Sequence, residues 1–221
     1  MQNVFSICTR FPGKREKPMN KQNSTIMKLA ETALLAALCY VSFTFLQIKI
    51  PVPGGDATSL HIGNTFCVLG ALLLGGWYGG LAGSIGMTIA DLMDPVYITG
   101  APKTFVLKLC IGLITGLVAH KIAKINETND KKYVFIWSLI ASIAGLAFNV
   151  IADPIVGYFY KQYILGQPQE VASILAKLSA GATFVNAIVS TILVVIIYSA
   201  VRPALIKANL IRVYVTAANA K

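Results

Sequence analysis

The stretch IVSTILVVIIYSAV, residues 188–201, contains no charged side chain. It belongs to a longer apolar segment, from about residue 178 to 201, which as a helix can cross the roughly 30 Å hydrocarbon core of a bilayer. It lacks the alternation of apolar and polar residues that characterises the strands of membrane β-barrels. Because backbone inside a bilayer must satisfy its own hydrogen bonds, the stretch predicts a transmembrane helix.

The whole chain has the composition of an integral membrane protein. Of its 221 residues, 56% are hydrophobic and 13% are charged, and the mean hydropathy is +0.68. Six apolar segments are expected, at about 29–48, 60–75, from a glycine turn at 75–80 to 93, 103–120, 133–152 and 178–201. Residues 153–177 are too polar for a further span and predict an interfacial loop or a surface helix. The expected fold is an all-α integral membrane protein, a six-transmembrane-helix bundle.

The positive charge is distributed unevenly along the chain, whose net charge is +10. If the amino terminus lies inside, one side of the membrane carries 14 of the 19 Lys and Arg residues and four of the nine acidic residues. This bias follows the positive-inside rule and predicts that both termini are cytoplasmic, in a multi-pass protein of the plasma membrane. The basic residues are dispersed and flank the spans, so membrane lipid accounts for them and a nucleic-acid partner is not expected.

Three regions follow from the charge and hydropathy patterns. Residues 1–28 are expected to form a basic, disordered cytoplasmic arm without a signal peptide, because they lack an apolar core of the required length. Residues 29–201 are expected to form the six-helix membrane domain. Residues 202–221 are expected to form a basic cytoplasmic tail.

Polar side chains near the outer ends of the predicted helices are the main functional signal, because such groups are costly at membrane depth unless they line a cavity or find a partner. Lys103 opens helix four, and Lys108 lies about one turn deeper. We predict that side chains of several helices converge on a cavity for a polar heteroaromatic molecule. The candidate ligand-binding residues are His61, Asn64, Asp91, Asp94, Tyr97, Lys103, Asn149, Asp153 and Asn186.

Structural roles are open alternatives for these residues. Asp91 or Asp94 with Lys103 could form an ion pair that joins helix three to helix four. His61 and Asn64 are expected on one face of helix two, where the histidine could simply face water at the start of the helix. The asparagines of helices five and six could hydrogen-bond between helices without touching a ligand.

The motifs of enzymes are missing or incomplete. No nucleotide-binding P-loop is present, so the chain is not expected to use ATP by itself. Gly83-Ser84-Ile85-Gly86 has the wrong order for an intramembrane serine protease, and Asp91 and Asp153 lack the GxGD context of an aspartyl protease. The cysteines have no metal-binding spacing. No catalytic residue, metal or cofactor is expected; the cysteines are Cys8, Cys39, Cys67 and Cys110.

Several motifs together resemble one transporter family. They are TALLAAL at 32–38, HIGN at 61–64, LLLGGWYGGLA at 72–82, ADL at 90–92 and KTF at 103–105 followed by Lys108. Over about residues 28–202, the chain resembles the substrate-binding S components of energy-coupling factor (ECF) vitamin transporters. It is most similar to the branch for riboflavin, hydroxymethylpyrimidine or pyridoxine.

The resemblance implies a membrane protein that captures a vitamin at its outer face and docks on a transmembrane T component driven by two cytoplasmic ATPases. It implies that Ala33 and Ala37, the small residues of an AxxxA motif on helix one, contact that T component. It also implies that the loop at residues 47–59 covers the substrate. The leading hypothesis is therefore a high-affinity S component; the alternative is a self-sufficient proton-coupled secondary carrier using Asp91, Asp94 and Lys103.

Overall fold

The computed structural model describes residues 21–52 and 56–208, which form a bundle of α-helices with one β-hairpin. In chain order the elements are α1 (Lys21–Phe45), β1 (Gln47–Val52), β2 (Asp56–His61), α2 (Gly63–Leu74), α3 (Gly76–Met93), α4 (Ala101–Gly116), α5 (Lys131–Phe159) and α6 (Gln169–Lys207). Two π-helical turns, Leu117–Ile122 and Tyr160–Ile164, extend α4 and α5. Two 3₁₀ turns, Ile98–Gly100 and Ile125–Glu127, flank α4 and its extension.

Among the described residues, four helical stretches are long and apolar enough to cross a membrane: Thr25–Phe45, Ile98–Glu127, Lys131–Ile164 and Gln169–Lys207. α2 is apolar but shorter. α3 contains several glycines and Asp91, which lower its hydropathy. The expected all-α class is thus seen in its coarse form. That all six helices span the bilayer, with both termini cytoplasmic, stays a prediction.

Glycines allow α2, α3 and α4 to pack backbone against backbone. A Cβ atom built on Gly79 of α3 would overlap the backbone of Ala71 in α2, and one built on Gly112 of α4 would overlap that of Gly80 in α3. Gly75 joins α2 to α3 at a φ of 95°, which glycine adopts without strain. The four-residue spacing of Gly75, Gly79 and Gly83, and of Gly112 and Gly116, predicts that helices approach each other closely here. The contacts of Gly79 and Gly112 agree.

The segment between the first two helices is a β-hairpin and not the polar loop expected at residues 47–59. β1 and β2 pair antiparallel with Gln47 opposite His61. α1 consequently ends at Phe45, before the predicted residue 48, and α2 begins at Gly63, after the predicted residue 60. His61 therefore lies on a strand and not on one face of α2 with Asn64. Because Pro51 would interrupt a helix, some backbone N–H and C=O groups there would lack hydrogen-bond partners. Pairing of the two strands supplies those partners.

Residues 153–177 are largely helical, so the expected interfacial loop is wrong, and the helical residues belong to α5, its extension and α6 and not to a separate surface helix. α5 continues through Pro154 to Phe159 and into a π-helical turn, and α6 begins at Gln169. Polarity along a chain marks where a bilayer ends, whereas a helix ends where its backbone hydrogen bonds end, here at Ile164; α6 then starts after its N-cap residue Pro168.

The helices also extend into the two regions expected to be arm and tail. α1 begins at Lys21, within the range 1–28, and α6 ends at Lys207, within the range 202–221. The predicted boundaries at residues 28 and 201 therefore mark changes in hydropathy and not the ends of helices. The remaining arm residues, 1–20, and tail residues, 209–221, lie outside the described ranges.

Candidate functional site

A cavity of about 140 Å³ lies beneath the hairpin, between the end of α3, the start of α4, the end of α5 and the first half of α6. Six of the nine candidate residues line it: His61, Asp91, Tyr97, Lys103, Asp153 and Asn186. They come from elements far apart in sequence, which the fold brings to one end of the bundle. The expected convergence of polar side chains therefore exists for these six.

The other three candidates lie elsewhere. Asn64 and Asn149 are 1% exposed but do not line the cavity, and the side-chain Oδ1 of each has no hydrogen-bond partner. They are buried among the helices because α2 and α5 turn these positions towards the bundle interior. Asp94 lies at the rim, where it pairs with the hairpin.

Lys103 and Asp153 form the central ion pair of the site. Lys103 Nζ lies 2.9 Å from Asp153 Oδ1, and Ser179 Oγ donates a hydrogen bond to Asp153 Oδ2. The network joins α4, α5 and α6. The expected pair of Lys103 with Asp91 or Asp94 is wrong, because the end of α5 brings a third carboxylate to this lysine.

Asn186 connects α6 to the hairpin. Its Oδ1 accepts a hydrogen bond of 3.0 Å from the backbone N–H of His61, and its Nδ2 donates one of 3.0 Å to the carbonyl of Ser59. The amide thus replaces a strand neighbour for β2. Asn186 therefore does form structural hydrogen bonds, as the alternative interpretation expected, but its partner is strand β2 and not a second helix.

His61 is a buried, neutral imidazole at the cavity wall. Its ring meets Phe43 edge-on, with centroids 4.7 Å apart, and its Nδ1 accepts a hydrogen bond from the backbone N–H of Gly63. Burial, assisted by the positive charge of Lys108, lowers the pKa of His61 to about 3. The proton of the neutral ring therefore resides on Nε2, which can donate a hydrogen bond to a ligand. The alternative of a water-facing histidine is wrong.

An ion pair between Lys49 and Asp94 connects the hairpin to the end of α3. The Lys49 ammonium also lies 5.4 Å from the centroid of the Tyr97 ring. Although burial acts to raise it, hydrogen bonds from Lys49 and from the backbone N–H of Val96 hold the pKa of Asp94 below its usual value. The hairpin is therefore fastened at the rim by contacts that water reaches.

The sequence did not assign several residues that line the cavity, among them Lys108, Thr104, Ser179 and Lys161. Lys108 had a clear signal, because a lysine inside an apolar helix is costly unless it has a function. Ser179 had none, since a serine is common in transmembrane helices. Lys161 was hidden by the expectation of a loop at residues 153–177.

The outer surface of α1 is separate from the cavity. Ala33 and Ala37 are exposed there, with Leu34 and Leu38 beside them. The opposite side of α1 packs closely on α3, where a Cβ on Gly86 would overlap the backbone of Ala36. A small-residue strip is thus left without a neighbour among the described residues.

Within residues 21–52 and 56–208, no three His, Cys, Asp or Glu side chains come together as a metal site would need. Cys39, Cys67 and Cys110 are free thiols, and Cys8 lies outside the described ranges.

Comparison with known proteins gives one family and one fold. The family model for the S component of the ECF-type riboflavin transporter matches residues 23–203. No curated protein matches the chain significantly. The solved structure of ThiT from Listeria monocytogenes is 19% identical, and the alignment covers 83% of this chain and 98% of that one with a TM-score of 0.58. At this identity the likeness shows the fold alone.

Proposed function

Because the chain belongs to the family of ECF-type riboflavin transporter S components, we propose that it captures a single-ring vitamin or vitamin precursor with high affinity for import. Members of this family are substrate-binding membrane subunits of vitamin transporters and not enzymes. In the proposed complex, a T component and two cytoplasmic ATPases supply the energy. Pyridoxine and hydroxymethylpyrimidine are the first candidates for the ligand.

The cavity, lined by both polar and apolar side chains, is the observation that carries this proposal. Rings and aliphatic side chains such as Phe43, Tyr97 and Leu107 alternate on its wall with the charged pair Lys103 and Asp153. Apolar walls with a few oriented polar groups are typical of sites for small heteroaromatic ligands. The hairpin forms one wall of the cavity and shields that side of such a ligand from water.

The size of the cavity supports a small ligand. An apolar cavity of roughly 150 Å³ in another protein accommodates benzene, and the volume here is about 140 Å³. One aromatic ring with short substituents therefore matches the conformation with the hairpin in place. Riboflavin, with three fused rings and a sugar-like chain, needs a wider site than this conformation offers.

The proposed orientation puts the cavity and the hairpin outside and both termini in the cytoplasm. The excess of Lys and Arg near the termini and in the connection between α4 and α5 supports it. The exposed alanines Ala33 and Ala37 on α1 are proposed to contact the T component. Small side chains there permit a partner helix to approach closely.

A binding experiment tests the function. Purified protein is titrated by calorimetry with pyridoxine, hydroxymethylpyrimidine, riboflavin, thiamine, folate and pantothenate, and any molecule released on denaturation is weighed by mass spectrometry. We expect tight binding of a single-ring compound. The absence of binding across the panel, of a released ligand and of a co-purifying T component would contradict the proposal.

The alternative, a self-sufficient proton-coupled carrier, requires Asp91, Asp94 and Lys103 to act together. Asp94 instead pairs with Lys49, and Lys103 pairs with Asp153. Uptake by the isolated chain in proteoliposomes, with an imposed proton gradient and no ATPase, would favour the carrier. We expect no uptake under those conditions.

A further inference from the structure

Lys108 lies on α4, within the cavity wall and only 8% exposed. A lysine so far from bulk water usually has its ammonium paired with a carboxylate or hydrogen-bonded to oxygen atoms, because an isolated buried charge is unfavourable. Lys103, at the opening of the same helix, follows this rule through its pair with Asp153. Lys108 does not.

The described residues contain three ion pairs: Lys49 with Asp94, Lys103 with Asp153 and Lys124 with Glu127. Lys108 belongs to none of them. Within residues 21–52 and 56–208, Lys108 Nζ donates no hydrogen bond, whereas Lys49 Nζ and Lys103 Nζ each donate one. Among the described residues, no ion pair or hydrogen bond to a protein acceptor is thus found for this ammonium, which belongs to a largely buried residue of the cavity wall.

The carboxylates nearest to this ammonium have other partners. Asp153 accepts hydrogen bonds from Lys103 and Ser179, and the carboxylate of Asp91 interacts with the side chain of Thr104. Both acidic residues attract Lys108 over a longer distance, while Lys103 repels it. The two aspartates therefore offset the positive charge of Lys108 electrostatically, but neither of them accepts a hydrogen bond from its ammonium.

The charges on the wall leave a positive excess. Three lysines, Lys103, Lys108 and Lys161, line the cavity with two aspartates, Asp91 and Asp153. His61, the remaining titratable nitrogen on the wall, is neutral. Lys161 has a contact of its own; beside Lys108, a negatively charged group on a ligand is attracted and a positively charged group is repelled.

We propose that Lys108 binds a negatively charged oxygen of the substrate, an inference that rests on the proposed function. The substrate is then a single-ring heteroaromatic compound that bears a carboxylate or an ionised ring hydroxyl. Both groups present the same chemistry, a negatively charged oxygen on or beside the ring. A charge-assisted hydrogen bond from a buried ammonium is stronger than one between neutral groups. Lys108 is thereby assigned as the residue that selects the charge of the ligand.

Matched pairs of compounds test this assignment by calorimetry on the full chain. Pyridine-3-carboxylate is compared with pyridine-3-carboxamide for the carboxylate, and pyridoxine with its 3-O-methyl ether for the ring hydroxyl. Hydroxymethylpyrimidine serves as a neutral single-ring reference. In at least one pair, we expect the member that carries the ionised oxygen to bind about tenfold or more tightly than the member that lacks it.

Substitution then connects the preference to the residue. Lys108→Met keeps the length of the side chain and removes its charge, and we expect the variant to lose the preference while it still binds neutral rings. Lys177→Met, an exposed lysine outside the cavity wall, is the matched control and keeps the preference. Thermal unfolding of both variants shows whether each is folded.

The outcomes are distinct. A wild-type protein that binds only neutral compounds keeps the proposed function and overturns this inference, and so does a Lys108→Met variant that retains the anionic preference. A wild-type protein that binds no vitamin overturns the proposed function and the inference with it. The comparison within the wild-type protein decides the ligand's charge even when Lys108→Met does not fold.

Discussion

Lys49 on β1 reaches across to Asp94 at the carboxyl end of α3, so that one ion pair holds the hairpin to the rim of the cavity. The lysine side chain is 43% exposed and that of the aspartate 18%, which means that water and salt weaken the pair. Such a contact can open and close without much change in stability. This is the behaviour expected of a cover over a ligand site.

We expect Lys49→Gln to speed dissociation of the ligand by about two- to fivefold, a small effect because an exposed ion pair contributes little. Release of the ligand measured by stopped-flow fluorescence checks this, with Lys177→Gln as the control. Raised salt should reproduce the effect in the wild type and change the variant less. An unaltered release rate in Lys49→Gln would mean that the pair does not hold the hairpin.

Asp153→Asn should destabilise the protein by about 3 kcal/mol, because it leaves the poorly exposed Lys103 without its counter-charge. Chemical or thermal unfolding in detergent measures the loss. Ser179→Ala removes only one hydrogen bond to the same carboxylate and should cost about 1 kcal/mol. Equal losses in the two variants would argue against the ion pair as the main contact.

His61 makes the stability depend on pH. Burial lowers its pKa in the folded protein to about 3 from an ordinary value of 6.5, so below 6.5 the unfolded chain binds a proton that the folded chain does not. The contribution of His61 to stability therefore falls as the pH decreases from 6.5 towards 3. Melting temperatures across this range check the slope.

His61→Gln keeps a polar side chain but does not titrate, and it should flatten that slope. The stabilisation linked to Asp94, whose pKa is lowered, is lost only as the pH falls below its ordinary value of 3.8. The two contributions therefore occupy different parts of the pH range. A slope between 6.5 and 4 that persists in His61→Gln would assign it to another group.

Gly112→Ala should destabilise the bundle by about 1–3 kcal/mol, because its Cβ would overlap the backbone of Gly80. Gly181→Ala is the matched control, since a Cβ there meets nothing within 4 Å. That variant should be neutral or more stable by about 0.5–1 kcal/mol through helix propensity. Melting temperatures in one detergent compare them, and similar values for both would disprove close packing of α3 on α4.

Ala33→Trp or Ala37→Trp should abolish vitamin uptake by cells that contain the complete transporter and leave ligand binding by the purified chain intact. The reason is that both alanines are exposed on α1, away from the cavity. Ile196→Trp, at an exposed position on α6, is the control and should transport normally. Loss of ligand binding in the alanine variants would mean that this surface of α1 supports the ligand site and does not serve a partner alone.

Hydropathy and charge were enough to predict an apolar helical bundle, because the energy of apolar helices in a bilayer depends on composition and length and not on which helices are neighbours. The glycine spacings predicted the close packing of α2, α3 and α4 for a similar local reason. The motifs of residues 32–38 and 72–82 indicated the family that the comparison shows. The ends of helices were less predictable, as the continuation of α5 through Pro154 illustrates.

Tertiary structure alone decided which charged groups meet. Lys103 and Asp153 are distant in sequence, and no local pattern distinguishes Asp153 from Asp91 or Asp94 as the partner of that lysine. Similarly, Asn64 and Asp91 both appeared as polar residues near the outer end of a helix, yet only Asp91 lines the cavity. The sequence by itself determined that polar groups gather at one end of an apolar bundle; which of them face the cavity depends on the rotation of each helix about its axis, and packing between helices sets that rotation.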